Sequence, residues 1–267
     1  MSVSYCVSIE TAGDFLGLAL TRFNRKTGEV FHLKRYVSSG KGTQSDRLIP
    51  TLDRLLKERR LSKKQIGLVA VDVGPGSFTG VRVGVSTARA LGQGLGVPVV
   101  GLSSLEAIAH VARVKETMTV VSCLPALAGE CYFAVYEARP GGARPGRAAK
   151  TISLKETLKP CWKNESEFVQ MLSALVLNPK KKNRAVVVVG NNAAGLKEAA
   201  SSVHGLTWQS VRQPARPTAV AEIGVKKFLA QPRPRQFHYE KIRPLYLQPC
   251  WAERERAGRA EGRGHAR

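Results

Sequence analysis

The sequence predicts an α/β fold. Three observations lead there: three short β-rich runs open the chain, a nearly all-apolar run lies at 66–73, and helical periodicities alternate with strand-like runs from residue 45 onward. With 267 residues, 43% of them apolar, the chain has enough material for one large core or two smaller ones, which excludes a fibrous or wholly unfolded polymer. Its longest apolar runs, such as 185–189, fall far short of the ~20 residues needed to cross a bilayer. The opening Met1-Ser2-Val3-Ser4-Tyr5-Cys6 has neither a basic flank nor an apolar stretch, so the expectation is a cytosolic protein without membrane contact.

Val3–Ile9, Phe15–Arg22 and Val30–Val37 are short and β-branched or aromatic-rich, with turn residues between them, and read as an antiparallel meander. From Ser45 the period changes. Leu48, Ile49, Leu52, Leu55 and Leu56 recur at helical spacing opposite Arg47, Arg54, Lys57 and Glu58, giving an amphipathic helix over 45–59 with Ser45 as its N-cap and Pro50 as a local blemish. Ile66–Val73 reads as a strand buried on both faces, Thr79–Leu95 as a helix rich in small residues and Val97–Leu102 as the next strand.

A second round begins at Ser103, which caps a helix through Arg113 with Glu106 as capping-box partner. Thr117–Leu124 and Cys131–Glu137 follow as strands, then a Pro/Gly-rich basic excursion over 138–150, a helix over 165–177, a strand over 185–190, a helix over 193–203 and a last helix near 218–229. The resulting division is a first lobe over 1–102, a second over 103–230 whose last helix is a candidate to pack back on the first, and a basic, Pro/Arg-rich extension over 231–267, expected to be disordered after about 251.

The five cysteines, Cys6, Cys123, Cys131, Cys161 and Cys250, are odd in number and show no C-x-x-C spacing, so reduced and mostly buried thiols are expected. The five histidines form no pair on one helical face, and no metal site is expected. Charge is the unusual quantity: 42 Lys and Arg against 20 Asp and Glu leave +22. Such an excess concentrates polyanions around a protein, but it also fits a compositional habit that aids solubility. It is densest at 139–184 and 231–267, with Phe237, Tyr239, Tyr246 and Trp251 interleaved near the end.

The most informative stretch is the glycine loop Gly74-Pro75-Gly76-Ser77-Phe78-Thr79-Gly80, between a buried strand and a helix. Backbone N–H groups and the helix dipole can cradle phosphate at such a place. The known fingerprints do not fit, however. Val81 and Arg82 stand where a P-loop needs Lys and Ser/Thr, and the glycine spacing is one residue too long for a dinucleotide loop. A tight turn that lets the helix pack closely is the other reading.

The run from Gly74 to Gly84, followed by Pro98-Val99-Val100-Gly101-Leu102-Ser103-Ser104-Leu105-Glu106-Ala107, resembles the TsaB (YeaZ) family, specifically over 44–110. Looser collinear similarities lie in the opening segment, in Gly129-Glu130-Cys131-Tyr132, in Val189-Gly190-Asn191 and in Pro244-Leu245-Tyr246-Leu247. The resemblance implies an actin-like ATPase fold in two similar lobes, and a non-catalytic subunit of the apparatus that makes N6-threonylcarbamoyladenosine at position 37 of tRNA. It implies pairing through the helices 45–59 and 79–95, with a second copy or with the catalytic subunit TsaD, and TsaE in the assembled complex; ATP and metal belong to the partner. Leu48, Ile49, Leu52, Leu56, Gly80, Arg82, Val83, Gly84, Thr87, Ala88 and Leu91 are the interface residues this implies.

Gly80, Gly84, Ala88 and Gly92, four apart, would let a partner helix approach, or would pack inside their own domain. Where TsaD carries a metal-binding His-x-x-x-His, this chain has Ser104 and Ile108, and where such folds place an aspartate after the first strand it has Glu10. Departures from the family's own pattern are Gln44 for a His, and Pro125 and Leu127 for an Asp and an Arg. Two other classes stand beside the scaffold reading: a small-molecule kinase or ATPase on the same fold, against which Glu10 and Asn191-Asn192 argue, and a glycoprotease-like hydrolase, for which no nucleophile set is present.

Overall fold

A computed structural model describes residues 3–39, 44–127, 129–141, 152–178, 184–190, 193–211, 216–231 and 234–248. The meander forms as expected: β1 (Val3–Glu10), β2 (Phe15–Asn24) and β3 (Val30–Ser39) pair antiparallel in sequence order. Beyond α1 (Gln44–Glu58), β4 (Ile66–Asp72) joins β1 in parallel; beyond α2 (Phe78–Leu95), β5 (Val99–Leu102) joins β4 in parallel. The first sheet therefore runs β3-β2-β1-β4-β5.

The second lobe repeats this plan. After α3 (Ser104–His110), β6 (Met118–Pro125), β7 (Glu130–Pro140) and β8 (Ile152–Asn164) form a second meander; α4 (Glu165–Val176), β9 (Val186–Gly190), α5 (Ala194–Ala199) and β10 (Leu206–Ser210) complete it, in the order β8-β7-β6-β9-β10. This is the two-lobed α/β architecture, each lobe a mixed sheet with flanking helices, that the resemblance to actin-like folds implied.

Strand alternation divides the core into layers. Val7, Ile9, Val69 and Val71 point to α1 and α2, while Cys6, Leu68 and Ala70 point to α6 (Arg216–Ala230) through Ala219, Val220 and Ile223. Across α6, Leu105, Ile108 and Ala109 of α3 cover one face of the second sheet, and Phe168, Leu172 and Leu196 of α4 and α5 cover the other. The last helix thus serves the first lobe and touches the second through α3.

Several local expectations change. Gln44 and not Ser45 opens α1; Ser45 sits in the first turn with its hydroxyl on Asp46 Oδ1 at 3.0 Å. α2 starts at Phe78, one residue before the predicted start, and Ser77 caps it by accepting from the Gly80 N–H. Ser103 caps α3 by accepting from the Leu105 N–H, but Glu106 reaches Lys227 at 2.5 Å instead of closing a capping box, and the helix ends at His110. β8 and β10 had no sequence expectation. Both are edge strands; β8 carries Lys155, Glu156, Lys159 and Lys163 on exposed positions, the polar decoration that protects an edge. The excursion at 142–150, the basic run at 180–183, Asn191, Asn192 and everything beyond 248 lie outside the described residues.

Cys6, Cys123 and Cys131 are buried and free, and burial pushes the Cys131 thiol up to about 12, which leaves it unreactive as a nucleophile. Among the described residues no helix is long and apolar enough to cross a membrane.

Two histidines clasp α6. His32 of β3 and His110 of α3 each place Nε2 at 2.7 Å from one oxygen of Glu222, and Thr21 Oγ1 lies 3.1 Å from His32 Nδ1. Burial alone would raise the Glu222 carboxyl; the hydrogen bonds and charge of His110 and His32 outweigh it and hold the group at about 2. A depressed carboxylate stabilises the fold above its unfolded value near 4.5, and that contribution is lost as pH falls toward 2. Glu222→Gln should therefore cost on the order of 2–3 kcal/mol at neutral pH and flatten the acid-denaturation curve between about pH 4.5 and 2, measured by circular dichroism.

Candidate functional site: a sealed carboxylate pair beside an exposed aromatic face

β1 and β4 are parallel neighbours, with Ile9 paired to Val71, so their last residues, Glu10 and Asp72, emerge side by side at the carboxyl end of the first sheet. Arg216, the first residue of α6, enters between them. Its Nη2 lies 3.1 Å from Asp72 Oδ2, to which it donates, and 3.1 Å from Glu10 Oε2. All three side chains are sealed from solvent, with relative exposures of 0%, 0% and 1%. The remaining acceptors are engaged locally: Asp72 Oδ1 accepts from Ser104 Oγ at 2.6 Å and from the Gly74 N–H at 2.8 Å, and Glu10 Oε1 accepts from the Ala12 N–H at 3.0 Å. The Phe15 ring lies 5.4 Å from the guanidinium carbon and closes the other side.

Two carboxylates around one guanidinium cannot both be ionised cheaply in a dry site. Burial pushes the Glu10 carboxyl well above its ordinary range; the Arg216 charge opposes this, and the neighbouring Asp72 charge adds to the rise. The balance favours the neutral form of Glu10 beside the Asp72–Arg216 contact. A nucleotide-bound metal would have to share this space with the guanidinium, so the donor set fits a closed ion pair and not a metal. Ser104 and Ile108 are used structurally: Ser104 orients Asp72, and Ile108 is fully buried in the second-lobe core.

The glycine loop is consumed by its own lobe. A Cβ on Gly76 would meet the Ala12 carbonyl oxygen at 2.2 Å, and one on Gly80 the Thr11 carbonyl oxygen at 2.0 Å. The Ser77 N–H donates to the Ala12 carbonyl at 2.7 Å, Thr11 Oγ1 donates to the Gly80 carbonyl at 2.7 Å, and the Gly74 and Gly80 N–H groups serve Asp72 and Ser77. With these donors turned inward, the loop acts as a tight docking turn between the end of β1 and the start of α2, and the phosphate-cradle reading falls away.

The same packing corrects part of the predicted interface. Gly84 faces Thr11 Oγ1, where an added Cβ would come within 2.3 Å, Gly92 faces Val99, and Ala88 is fully buried in the first-lobe core, so the small-residue face of α2 presses on its own sheet. Leu48, Leu52 and Leu56 are likewise core residues. A bulky residue at Gly84 or Ala88 would break this lobe before it could report on pairing.

What stays accessible is the outer side: Ile49 and Arg82 are exposed, Val83, Thr87 and Leu91 are half-buried, and Phe78 from the loop is 53% exposed. Phe78 and Arg82 form a patch with Tyr246, whose ring centroid lies 5.3 Å from that of Phe78; the Arg82 guanidinium sits 3.7 Å from the Phe78 centroid and its Nε donates to Tyr246 Oη at 2.8 Å. Leu245 fixes this arrangement by donating its N–H to the Val73 carbonyl at 2.7 Å. Tyr246 was singled out from the sequence as an aromatic near the basic end and in the closing Pro244-Leu245-Tyr246-Leu247, but not as a partner of Phe78; for Arg216 there was no signal. Of the departures, Gln44 is buried and its Nε2 donates to the Gly13 carbonyl at 3.1 Å, while Pro125 and Leu127 are exposed.

The sequence profile of the family described as TsaD, tRNA N6-adenosine threonylcarbamoyltransferase, matches residues 42–237. The tRNA threonylcarbamoyladenosine biosynthesis protein TsaB of Bacillus subtilis is 25% identical over 224 residues, 83% of this chain and 87% of that protein. The chain belongs to the TsaB (YeaZ) branch of this family. The TsaB of Haemophilus influenzae is 36% identical over 107 residues, 40% of this chain and less than half of its own length, at 44%. YeaZ from Pseudomonas aeruginosa superposes with a TM-score of 0.65 at 18% identity, covering 91% of this chain and 100% of that one, which establishes the shared TsaB fold.

Removing one partner of a buried ion pair strands the other, so Arg216→Ala should destabilise by about 3–5 kcal/mol in chemical denaturation. Glu10→Gln, which keeps the shape of the neutral acid, should cost less than Arg216→Ala. Because the folded Glu10 carboxyl is raised, its protonated form stabilises fully below about pH 4.5 and loses that contribution as pH rises; the Gln variant should lack this dependence.

Proposed function

We propose that the chain is a non-catalytic scaffold subunit of the complex that adds the threonylcarbamoyl group to N6 of adenosine 37 in tRNAs reading codons that begin with A. The observation that carries this reading is Arg216 sealed between Glu10 and Asp72: the place where the fold would handle a nucleotide-bound metal is filled by the protein's own cation. The names of the curated relatives supply the pathway. ATP, metal and group transfer then belong to TsaD, with TsaE joining the assembled complex, and the present chain makes TsaD competent by pairing with it or, when alone, pairs with a second copy.

The surface suited to pairing is the outer side of α1 and α2 with its loop. Phe78, Tyr246 and Arg82 are of the types that dominate protein interfaces, because rigid aromatic area and a planar guanidinium bury well at low entropic cost. Ile49, Val83, Thr87 and Leu91 extend the same side. Gly84 and Ala88 contribute from beneath, by letting α2 lie close on its sheet.

The test is co-purification with TsaD and a threonylcarbamoylation assay with and without this chain. The chain alone should not turn over ATP, and TsaD should need it for full activity; sustained ATP hydrolysis by the pure chain, or undiminished TsaD activity in its absence, would sink the reading. Phe78→Ala and Arg82→Glu should each weaken pairing at least tenfold, about 1.4 kcal/mol, while circular dichroism stays unchanged because both side chains face solvent.

A further inference from the structure

A hollow of about 320 Å³ opens where the turns after α6 fold over the carboxyl ends of β4 and β5. Three cations line it, Lys227, Lys241 and Arg243, together with Gln236 and Phe237, above an apolar floor. Their charge is only partly spent. Lys227 is paired with Glu106 at 2.5 Å, but among the described residues neither Lys241 nor Arg243 has a carboxylate partner. Arg243 gives one terminal nitrogen to the Glu240 and Ile242 carbonyls and keeps Nε and the other terminal nitrogen available. The nearest acid in that turn, Glu240, faces His238 at 3.4 Å. Phe237, half-buried, is held by Phe228, with ring centroids 6.0 Å apart, and lines the hollow with a fixed ring.

Unpaired cations around an open hollow, beside a fixed aromatic ring, are the elements that hold a nucleic acid strand: the cations take backbone phosphate and the ring takes a base face. The volume sits at the low end for small-molecule pockets and suits a phosphate with its adjoining ring. The net charge of +22 supplies the long-range attraction, which the local cations turn into a fixed contact. We infer that this hollow is an RNA phosphate-anchoring site, in which Lys241 and Arg243 hold the phosphodiester backbone and Phe237 supports an adjacent base. The inference rests on the reading of the chain as part of a tRNA-modifying complex and adds a direct RNA contact on this subunit. Backbone contacts of this type position an RNA without reading its sequence.

The experiment is a fluorescence-anisotropy titration of labelled tRNA transcript with the full chain at several salt concentrations. It compares wild type with the Lys241→Gln/Arg243→Gln double variant and with a charge-matched control, Lys155→Gln/Lys159→Gln, on the distant edge strand β8. The expected result is a 5- to 20-fold loss of affinity for the first variant at about 0.1 M salt, and a log–log salt slope shallower by about 0.7–0.9 per contact removed; the control should change neither quantity by more than its share of net charge. Unchanged affinity and slope, or equal losses in the two doubles, would overturn the site. ATP and inorganic phosphate are titrated in parallel: if either binds the chain alone in a manner that depends on Lys241 and Arg243 while tRNA affinity does not depend on them, the hollow takes free phosphate compounds and the RNA assignment is wrong. Light scattering of each variant mixed with TsaD separates this outcome from the scaffold reading, since normal pairing with lost RNA affinity touches only the hollow, and lost pairing in the wild type touches only the scaffold.

Discussion

A single guanidinium shared by two carboxyl groups fixes the geometry around which this molecule is arranged. Arg216 is the first residue of α6, Glu10 the last of β1 and Asp72 the last of β4, so one buried charge pins a helix start to two strand ends. From Asp72 the order spreads through Ser104 to the start of α3 and through the Gly74 N–H to the glycine loop. From Glu10 it spreads through the Ala12 N–H to the turn on which Gly76 and Gly80 rest. Ion pairs in dry interiors are weak as stabilisers when compared with a well-packed apolar core, but severe when broken. That asymmetry suits a group whose role is to hold several termini in one arrangement.

The glycine motif takes its meaning from this packing. Its glycines are demanded by neighbouring backbone: an added methyl at Gly76 or Gly80 would run into the carbonyls of residues 12 and 11. A loop that resembles a phosphate cradle in composition is thus a docking turn in function, and the aromatic residue it must carry outward, Phe78, becomes available to a partner. The helix that follows has a division of labour, small residues inward and Arg82 outward, and the inward side cannot serve both the sheet and a second protein.

How much of this was legible in the sequence depends on the range of the interaction. The meander, the buried strand β4, the small-residue helix and the cap at Ser103 all follow from local pattern, and residues 3–102 fold nearly as read. The edge strands β8 and β10 were passed over: β8 carries Lys155, Glu156, Lys159 and Lys163 on exposed positions, and β10 is a five-residue strand with no fully buried side chain. The inward orientation of Gly84 and Ala88 could not be separated from an outward one, because small residues mark close approach without saying to what. Arg216 was silent for a different reason. A lone arginine beside a proline has the signature of surface, and only the meeting of β1, β4 and α6 in space reveals that two acids await it. The partners of the aromatic patch were in view as a short closing motif, yet nothing local joins Tyr246 to Phe78.

The return of α6 to the first sheet has a consequence for the order in which the molecule can assemble during synthesis. Chains emerge amino end first, and lobes made of contiguous sequence can close as soon as they are out. The second sheet is contiguous, built from residues 118–210, whereas the first sheet lacks the cover on one face and the counter-charge for Glu10 and Asp72 until residues 216–230 arrive. The amino-terminal half of the nascent chain therefore waits, with an apolar sheet face open and two acidic groups uncompensated, for α6 to emerge. In this protein the part made first is the part finished last.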